Sequence, residues 1–243
     1  MSNKQSHSLS VIIPVLNEAE NLPTLFQHLY QNLSDPGSTE VLIIDGGSID
    51  NSKAQFEEFK AEQPELNIKW VESPKMGRAP QMNLGARTAT GSIFYFLHAD
   101  SFPPVGFDAD IIKQIKKGNP AGCFRMRFNS SHWWLRLAGW FTRFNWMMCR
   151  GGDQSQFITR DLFEEIGGFD EQYRILEDNM LITELYKRRQ FVVIPRTIIT
   201  SCRRYEKVGV WRLQYHFWMI YYKHRRGASP DHLFAYYQKH LAK

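Results

Sequence analysis

Apolar and polar residues alternate in blocks along the first half of the chain. Short runs of β-branched and other apolar residues predict buried strands, and these cover residues 9–15, 40–45, 67–72 and 92–97. Between them, apolar residues recur with the period of a helix, over residues 17–30, 50–61 and 76–90. This β-α-β-α-β-α-β order predicts an α/β fold with a doubly wound, mainly parallel sheet.

The second half of the chain mixes the two patterns less regularly. Strand-like runs cover residues 121–128, 151–159 and 191–195, and helical patterns cover residues 107–117, 133–148, 160–166 and 177–189. Two more helices are predicted at 208–224 and 229–242. Since neither a linker nor a repeat interrupts the chain, we expect a disordered N-terminus (1–8), one sheet-based domain (9–200) and a helical C-terminal appendage of that domain (201–243).

Charge is distributed unevenly along the 243 residues, although the net charge is only +5. Residues 1–186 hold 17 basic and 23 acidic residues, whereas residues 187–243 hold 13 basic and 2 acidic residues. A basic segment with aromatic residues is one feature of nucleic-acid-binding modules. The acidic N-terminal part argues against that function, because a duplex binder usually presents a broader basic face.

Cysteine usage and hydropathy bear on the cellular compartment. The three cysteines are odd in number and lack metal-ligand spacing, so we expect buried, reduced thiols. The first ten residues have no apolar core of a signal peptide, and no apolar run reaches the roughly 20 residues that span a bilayer. We therefore expect a cytoplasmic protein, with contact to the inner face of the membrane left open.

Polar residues follow three of the predicted strands. Glu18 and Asp45 come just after the first and second strands, and His98 and Asp100 follow the fourth. In doubly wound sheets, ligands bind at the carboxyl ends of the strands. Carboxylates there accept hydrogen bonds from ribose hydroxyls or base N–H groups, and a glycine such as Gly47 lets backbone approach a ligand closely.

Three segments together resemble glycosyltransferase family 2, which has the GT-A fold and binds nucleotide sugars. They are Ser-Val-Ile-Ile-Pro-Val-Leu-Asn-Glu (10–18), Val-Leu-Ile-Ile-Asp-Gly-Gly-Ser (41–48) and Phe-Leu-His-Ala-Asp-Ser (96–101). Gly-Gly-Phe-Asp-Glu (167–171) and Leu-Glu-Asp (176–178) are similar to the acceptor-side region of that family. Residues 75–83, 152–154 and 201–205 also resemble a subgroup named radical-SAM/selenodomain-associated transferases.

The resemblance implies an inverting glycosyltransferase, with a hexose as the expected sugar and a UDP- or GDP-linked donor. The residues expected to bind the donor are Pro14, Asn17, Glu18, Asp45, Gly47, Arg78 and Asn83. Arg203 and Arg204 are added from their residue type, as charge-assisted donors to the diphosphate. His98 and Asp100 occupy the place of the Asp-x-Asp metal motif, which implies a divalent ion, Mn²⁺ or Mg²⁺, with Asp100 the firmer ligand.

The same comparison places the catalytic acids at Glu177 and Asp178, with Asp178 as the base that deprotonates the acceptor hydroxyl. Acids are also common in any first helical turn, so this pair alone carries little weight. Asp153 and Gln154 are candidate substrate contacts. Other functions left open are a nucleotidyltransferase and a catalytically inactive nucleotide-sugar-binding protein, the latter because His98 replaces the first metal-motif Asp.

Two aromatic stretches with basic residues lie at 133–146 and 211–226. Aromatic side chains with Lys and Arg suit the headgroup region of an anionic membrane, which predicts peripheral association and a lipid-linked acceptor. The alternative is that these stretches pack on each other or across a homodimer interface.

Overall fold

The apolar strands of the N-terminal half form the parallel part of the sheet in the computed structural model, which describes residues 7–241. β1 (Leu9–Val15) lies between β2 (Glu40–Asp45) and β4 (Ile93–Phe96), and β3 (Ile68–Glu72) extends the sheet beyond β2. Every residue of β1, β2 and β4 is buried. Their sequences are continuously apolar because helices cover both faces of the sheet.

Three helices connect these strands and form the two covering layers. The helices are α1 (Leu22–Asn32), α2 (Ser52–Glu62) and α3 (Arg78–Thr88). α1 and α2 pack against one face of β1 through residues such as Phe26 and Phe56. α3 packs against the other face, where Met82 meets Ile12. The predicted alternation of strands and helices is therefore confirmed.

The second half of the chain adds antiparallel strands, so the sheet is mixed. β5 (Ser101–Phe102), β6 (Ala121–Phe128), β7 (Gln156–Thr159) and β8 (Val192–Thr200) complete the eight-stranded order β3-β2-β1-β4-β7-β6-β8-β5. β7 runs antiparallel to both β4 and β6, while β6 and β8 are parallel. The antiparallel β7 brings the residues that precede it to the carboxyl end of β4.

Seven further helices follow in the second half. They are α4 (Phe107–Lys116), α5 (Trp133–Phe141), α6 (Arg160–Ile166), α7 (Glu177–Lys187), α8 (Arg203–Val208), α9 (Val210–Arg225) and α10 (Pro230–Leu241). α9 and α10 enclose a small apolar cluster around Leu213 and Leu233. None of the helices within residues 7–241 is both long and apolar enough to cross a membrane.

Some local predictions need correction. The helix predicted over 133–148 ends at Phe141, because the Arg150 side chain binds the carbonyl oxygens of Thr142 and Phe144 (2.6 Å each). The sequence pattern also missed β5 and α8. Of the N-terminus predicted to be disordered, residues 1–6 lie outside the described residues, whereas the Ser8 carbonyl accepts a hydrogen bond from Ile93 N.

Candidate functional site

The loops after β1 and β2 are joined into one hydrogen-bonded unit. The Asp45 carboxylate accepts bonds from the backbone N of Ser48 (3.1 Å) and from its hydroxyl (2.6 Å). Asn17, which has a positive φ of 55°, accepts a bond from Ile49 N (2.8 Å). Glu18 N donates to Ser52 Oγ (3.0 Å). The structure thus brings Asn17, Glu18 and Asp45 together at the carboxyl ends of neighbouring strands.

A buried glutamine holds the ends of β1 and β2. Gln81 Nε2 donates to the carbonyl oxygens of Val15 (2.9 Å) and Ile44 (2.6 Å). A Cβ at Gly46 would lie 2.9 Å from Gln81 Oε1, so a larger residue at this position would require Gln81 to move. We did not predict this clamp, since one glutamine on a helix gives no sequence signal.

Three loops converge on a cluster of acids at the carboxyl end of β4. His98 Nε2 lies 3.8 Å from Asp178 Oδ2, and Arg78 Nη1 lies 3.7 Å from Glu177 Oε1. Gly152 lies between the loops, because a Cβ there would come within 2.0 Å of Asp178 Oδ2 and 3.3 Å of His98 Nε2. The close approach of Gly152 explains why this position is glycine.

The carboxylates of this cluster have few positively charged neighbours. Burial raises the pKa of Asp178 to about 8, and the charges of Glu177 and Asp153 add to the effect, while Arg78 opposes it. Burial also raises the pKa of Glu177, again opposed by Arg78. Burial and the charge of Asp100 raise the pKa of Asp153. A cation bound here would relieve this repulsion.

His98 is neutral at physiological pH. Burial and the charge of Arg78 together lower its pKa to about 3. The contact between His98 and Asp178 is therefore not an ion pair, and 3.8 Å is too long for a hydrogen bond. A neutral imidazole can act as a metal ligand or as a hydrogen-bonding group.

The side chains of the described residues do not by themselves complete the ligand shell of a metal ion. No group of three or more His, Cys, Asp or Glu side chains within residues 7–241 is arranged to hold an ion. Asp100 and Asp153 nevertheless interact through their charges. Such a donor set suits an ion that takes one or two carboxylates and completes its shell with waters and phosphate oxygens.

The C-terminal appendage forms one wall of the cluster. Arg203 Nη2 lies 3.5 Å from Glu18 Oε2. Arg204 donates to the Tyr237 hydroxyl (2.5 Å), and its charge lowers the pKa of Asp153 against the stronger effect of burial. Tyr221 of α9 donates to Asn179 Oδ1 (3.3 Å), directly after Asp178 in the chain. Both predicted arginines therefore lie at the rim of the site.

Three predicted site residues have protein neighbours that account for their burial. Pro14 is buried within β1, opposite Ile44. Asn83 exchanges hydrogen bonds with the backbone N and O of Phe169 (2.9 Å each). Gln154 is held by Arg150 Nη1 (2.9 Å) and the Cys149 carbonyl (2.8 Å). Contact of these residues with a ligand stays a prediction.

Two cavities flank the acid cluster and the strand-end loops. One of about 320 Å³ is lined by Asp45, Gly47 and Trp70, among others. The buried indole N–H of Trp70 has no hydrogen-bond partner in the part of the chain that the structure describes. The second cavity, of about 530 Å³, lies beside Arg78 and includes Lys75 and Arg174. Their positions suit a ligand that extends from Asp45 towards the acid cluster.

The family model described as Glycosyl transferase family 2 matches residues 10–169. The chain belongs to glycosyl transferase family 2. This confirms the family predicted from the sequence motifs. The matched segment contains the strand-end loops, Arg78, His98, Asp100 and the Gly152 turn.

Several curated proteins are similar to parts of the family 2 chain. Glycosyltransferase AglE of Haloferax volcanii is 34% identical over 95 residues, which are 39% of this chain and 31% of AglE. The undecaprenyl-phosphate 4-deoxy-4-formamido-L-arabinose transferase of Proteus mirabilis is 26% identical over 133 residues, 54% of this chain and 41% of that protein. The chain thus spans well under half the length of these relatives.

Solved structures confirm the GT-A fold. The mannosyltransferase PcManGT from Pyrobaculum calidifontis, in complex with GDP-Man and Mn²⁺, superposes with a TM-score of 0.69 and 20% identity over 99% of this chain and 66% of that one. TarS 1-349 of S. aureus, in complex with UDP-GlcNAc, gives a TM-score of 0.65 and 16% identity over 80% of this chain and 58% of that one.

Proposed function

We propose that this family 2 protein transfers a sugar from a nucleoside-diphosphate sugar to an acceptor hydroxyl, with inversion at the anomeric carbon. The observation that carries the proposal is the position of Asp178. Its carboxylate is buried, accepts no hydrogen bond from a cationic side chain within residues 7–241, and lies beside the loops that form the predicted donor site. A carboxylate with a raised pKa is suited to act as a general base near neutral pH.

The donor is proposed to lie across the strand ends. The base and ribose enter the cavity beside Asp45, where the Trp70 side chain and the exposed backbone of Gly47 offer contacts. The diphosphate then extends towards Arg78 and the acid cluster. Asp100 and Asp153 would hold a Mn²⁺ or Mg²⁺ ion there, with His98 as a further candidate ligand. The ion would neutralise charge on the leaving diphosphate.

Asp178 is proposed to accept the proton of the acceptor hydroxyl as that oxygen attacks the anomeric carbon. The bond between the anomeric carbon and the diphosphate oxygen breaks in the same displacement, so the configuration inverts. Glu177, paired with Arg78, is proposed to keep the arginine oriented towards the diphosphate. Arg203 and Arg204 are proposed to close over the donor from the appendage.

The acceptor is proposed to be amphiphilic, with a hexose as the transferred sugar. The name of the Proteus mirabilis relative contains undecaprenyl phosphate, and a 29% identical relative from Pyrococcus furiosus is named dolichol-phosphate mannosyltransferase. Both names refer to polyprenyl phosphates. We extend the polyprenyl class to this chain as a proposal, with a hydroxyl of a polyprenyl-linked saccharide as the attacking group.

Release of UDP or GDP from a panel of donor sugars tests the proposal, with Mn²⁺ and polyprenyl-linked saccharides present. We expect turnover by the wild type that EDTA abolishes, and turnover lost in Asp178→Asn with donor binding retained. Asp161→Asn is the matched control, because Asp161 is also an acid in a first helical turn but is exposed on α6. Normal turnover in Asp178→Asn would contradict the base assignment.

A catalytically inactive nucleotide-sugar-binding protein is the second candidate. The neutral His98 at the predicted metal motif favours it, since the site then offers one carboxylate fewer. Donor binding by calorimetry without turnover on any donor and acceptor would support this candidate over the transferase.

A further inference from the structure

An aromatic and basic surface runs along α5, the following segment 142–149 and the outer side of α9; we call it the aromatic face. Trp146 is 53% exposed and Met148 80% exposed, although both are apolar. The other large exposed side chains of this face are Trp133, Trp140, Met147, Trp211, Trp218 and Tyr222. Exposed apolar patches of this extent mark an interaction surface.

Indole contacts join the two helices into one face. The rings of Trp133 and Trp211 have centroids 5.8 Å apart, and those of Trp134 and Trp211 lie 5.4 Å apart. Trp134 Nε1 also donates to Gln214 Oε1 (3.2 Å). The predicted packing of the two aromatic stretches on each other is therefore present. It leaves the outward sides of Trp133 and Trp211 uncovered.

The charge of the face selects its partner. Residues 133–149 and 210–225 contain no Asp or Glu and five Lys or Arg. Arg136 and Arg212 are exposed on α5 and α9, and Arg143 stacks on Trp140 at 4.4 Å. A second copy of this face across a two-fold axis would set like charges against each other. An anionic bilayer instead offers negative headgroups to the cations and an apolar interior to the tryptophans.

The aromatic face reaches the acid cluster through Arg150. Its buried guanidinium binds the carbonyl oxygens of Thr142 and Phe144 in the exposed segment and Gln154 Oε1 beside the Gly152 turn. Met148 is therefore fixed four residues before Gly152, which lies against Asp178. A headgroup in a membrane touching Met148 would be close to the cluster.

We propose that the aromatic face docks the protein on an anionic lipid bilayer, with Trp146 and Met148 inserted below the headgroups. Docking itself does not depend on transferase activity. Delivery of a membrane-bound acceptor to Asp178 does rest on the proposed function, and the experiment separates the two.

Vesicle sedimentation tests the proposal with the full chain, using phosphatidylcholine vesicles with or without about 30% phosphatidylglycerol. We expect binding to the anionic vesicles, at least about 10-fold weaker binding to the neutral ones, and weakening by salt. Trp146→Ser with Met148→Ser should reduce binding about 10-fold or more. Val105→Ser is the matched control, because Val105 is 64% exposed outside the face. Equal binding by the double variant and the wild type would overturn the proposal.

Charge reversal gives an independent arm that preserves the aromatic residues. Arg136→Glu with Arg212→Glu should abolish the preference for anionic vesicles, while Lys60→Glu on the exposed side of α2 should leave it intact. Asp178→Asn should bind vesicles like the wild type, so that loss of transfer and loss of docking are distinguished. A wild-type dimer in light scattering that the Trp146 and Met148 double variant dissociates would assign the face to a second copy and overturn the proposal.

Discussion

Glu40 and Asp178 are buried carboxylates at opposite ends of the sheet, and their surroundings differ. Glu40, at the start of β2, accepts hydrogen bonds from Ser10 Oγ (2.6 Å), Thr90 N (2.8 Å) and Lys69 Nζ (3.0 Å). Burial acts to raise its pKa, but these bonds prevail and lower it. Among the described residues, none donates a hydrogen bond to the Asp178 carboxylate, and burial together with the charge of Glu177 raises its pKa to about 8.

The difference shows that burial alone does not separate a structural carboxylate from a catalytic one. At neutral pH the ionised Glu40 ties β1, β2 and the loop before β4 together, so it stabilises the fold. Asp178 instead costs stability at neutral pH, because its burial opposes an ionisation that is free to occur in the unfolded chain. A protein retains such a group when it has a task that needs a proton acceptor.

The largest expected effect is on turnover. Asp178→Asn should lower kcat roughly 10³-fold, because the amide cannot accept the acceptor proton. Glu40→Gln should leave kcat within about 2-fold, since Glu40 lies at the other end of the sheet. Both values come from steady-state nucleotide release at saturating donor, and a comparable loss in the two variants would erase the proposed distinction.

Next in size is the effect of a single methyl group beside Asp178. Gly152→Ala should lower kcat about 10²-fold, because its Cβ would lie 2.0 Å from Asp178 Oδ2 and displace that carboxylate. Gly151→Ala is the control, since a Cβ there meets nothing within 4 Å and its φ is −161°. If the two alanine variants were equally active, the close packing around Asp178 would not matter for transfer.

The effects on stability should be the reverse of those on turnover, with Glu40→Gln rather than Asp178→Asn as the impaired variant. Glu40→Gln should lower the free energy of unfolding by about 2 kcal/mol, because the amide N–H₂ opposes buried donors. Asp178→Asn should raise the Tm by about 3 °C. Urea and thermal melts at pH 7 measure both changes in stability. A Tm of Asp178→Asn below that of the wild type would contradict the conclusion that Asp178 destabilises the fold.

The smallest effect is the pH dependence of these stability differences. The pKa of Glu40 is lowered, so its contribution to stability is present above its unfolded pKa and is lost as the pH falls through its folded pKa. The stability deficit of Glu40→Gln relative to the wild type should therefore shrink below about pH 4. Asp178 has a raised pKa. The advantage of Asp178→Asn should therefore grow between about pH 4 and pH 8. Thermal melts of the wild type and of both variants across this pH range test whether the two stability differences change with pH in these opposite directions.

Local patterns predicted the N-terminal strands and helices because each buries its own apolar face. The strand-end residues could be predicted as well, since parallel strands bring their carboxyl ends to one edge of the sheet. The two-residue β5 and the end of α5 at Phe141 could not, because they depend on bonds to distant residues. Asp178 was predicted only through the family motif, since an acid in a first helical turn is common.

Two buried side chains of the site had no signal in the sequence. Gln81 and Arg150 act on backbone carbonyl oxygens, and any sequence can supply a carbonyl. Their roles depend on where the chain passes in space. Gly152 was visible as part of a Gly-Gly pair, but its approach to Asp178 appears only when β7 is placed antiparallel to β4.

The three short hydrogen bonds of Arg150 give the aromatic face and the Gly152 turn a common rigid support, from Thr142 and Phe144 on one side to Gln154 on the other. Two ligands that stabilise the same set of Arg150 contacts are thermodynamically linked. Whatever factor a nucleotide sugar adds to vesicle affinity, vesicles must add to nucleotide-sugar affinity. Arg150→Lys, which cannot make the forked contacts, should uncouple the two affinities without removing either binding surface.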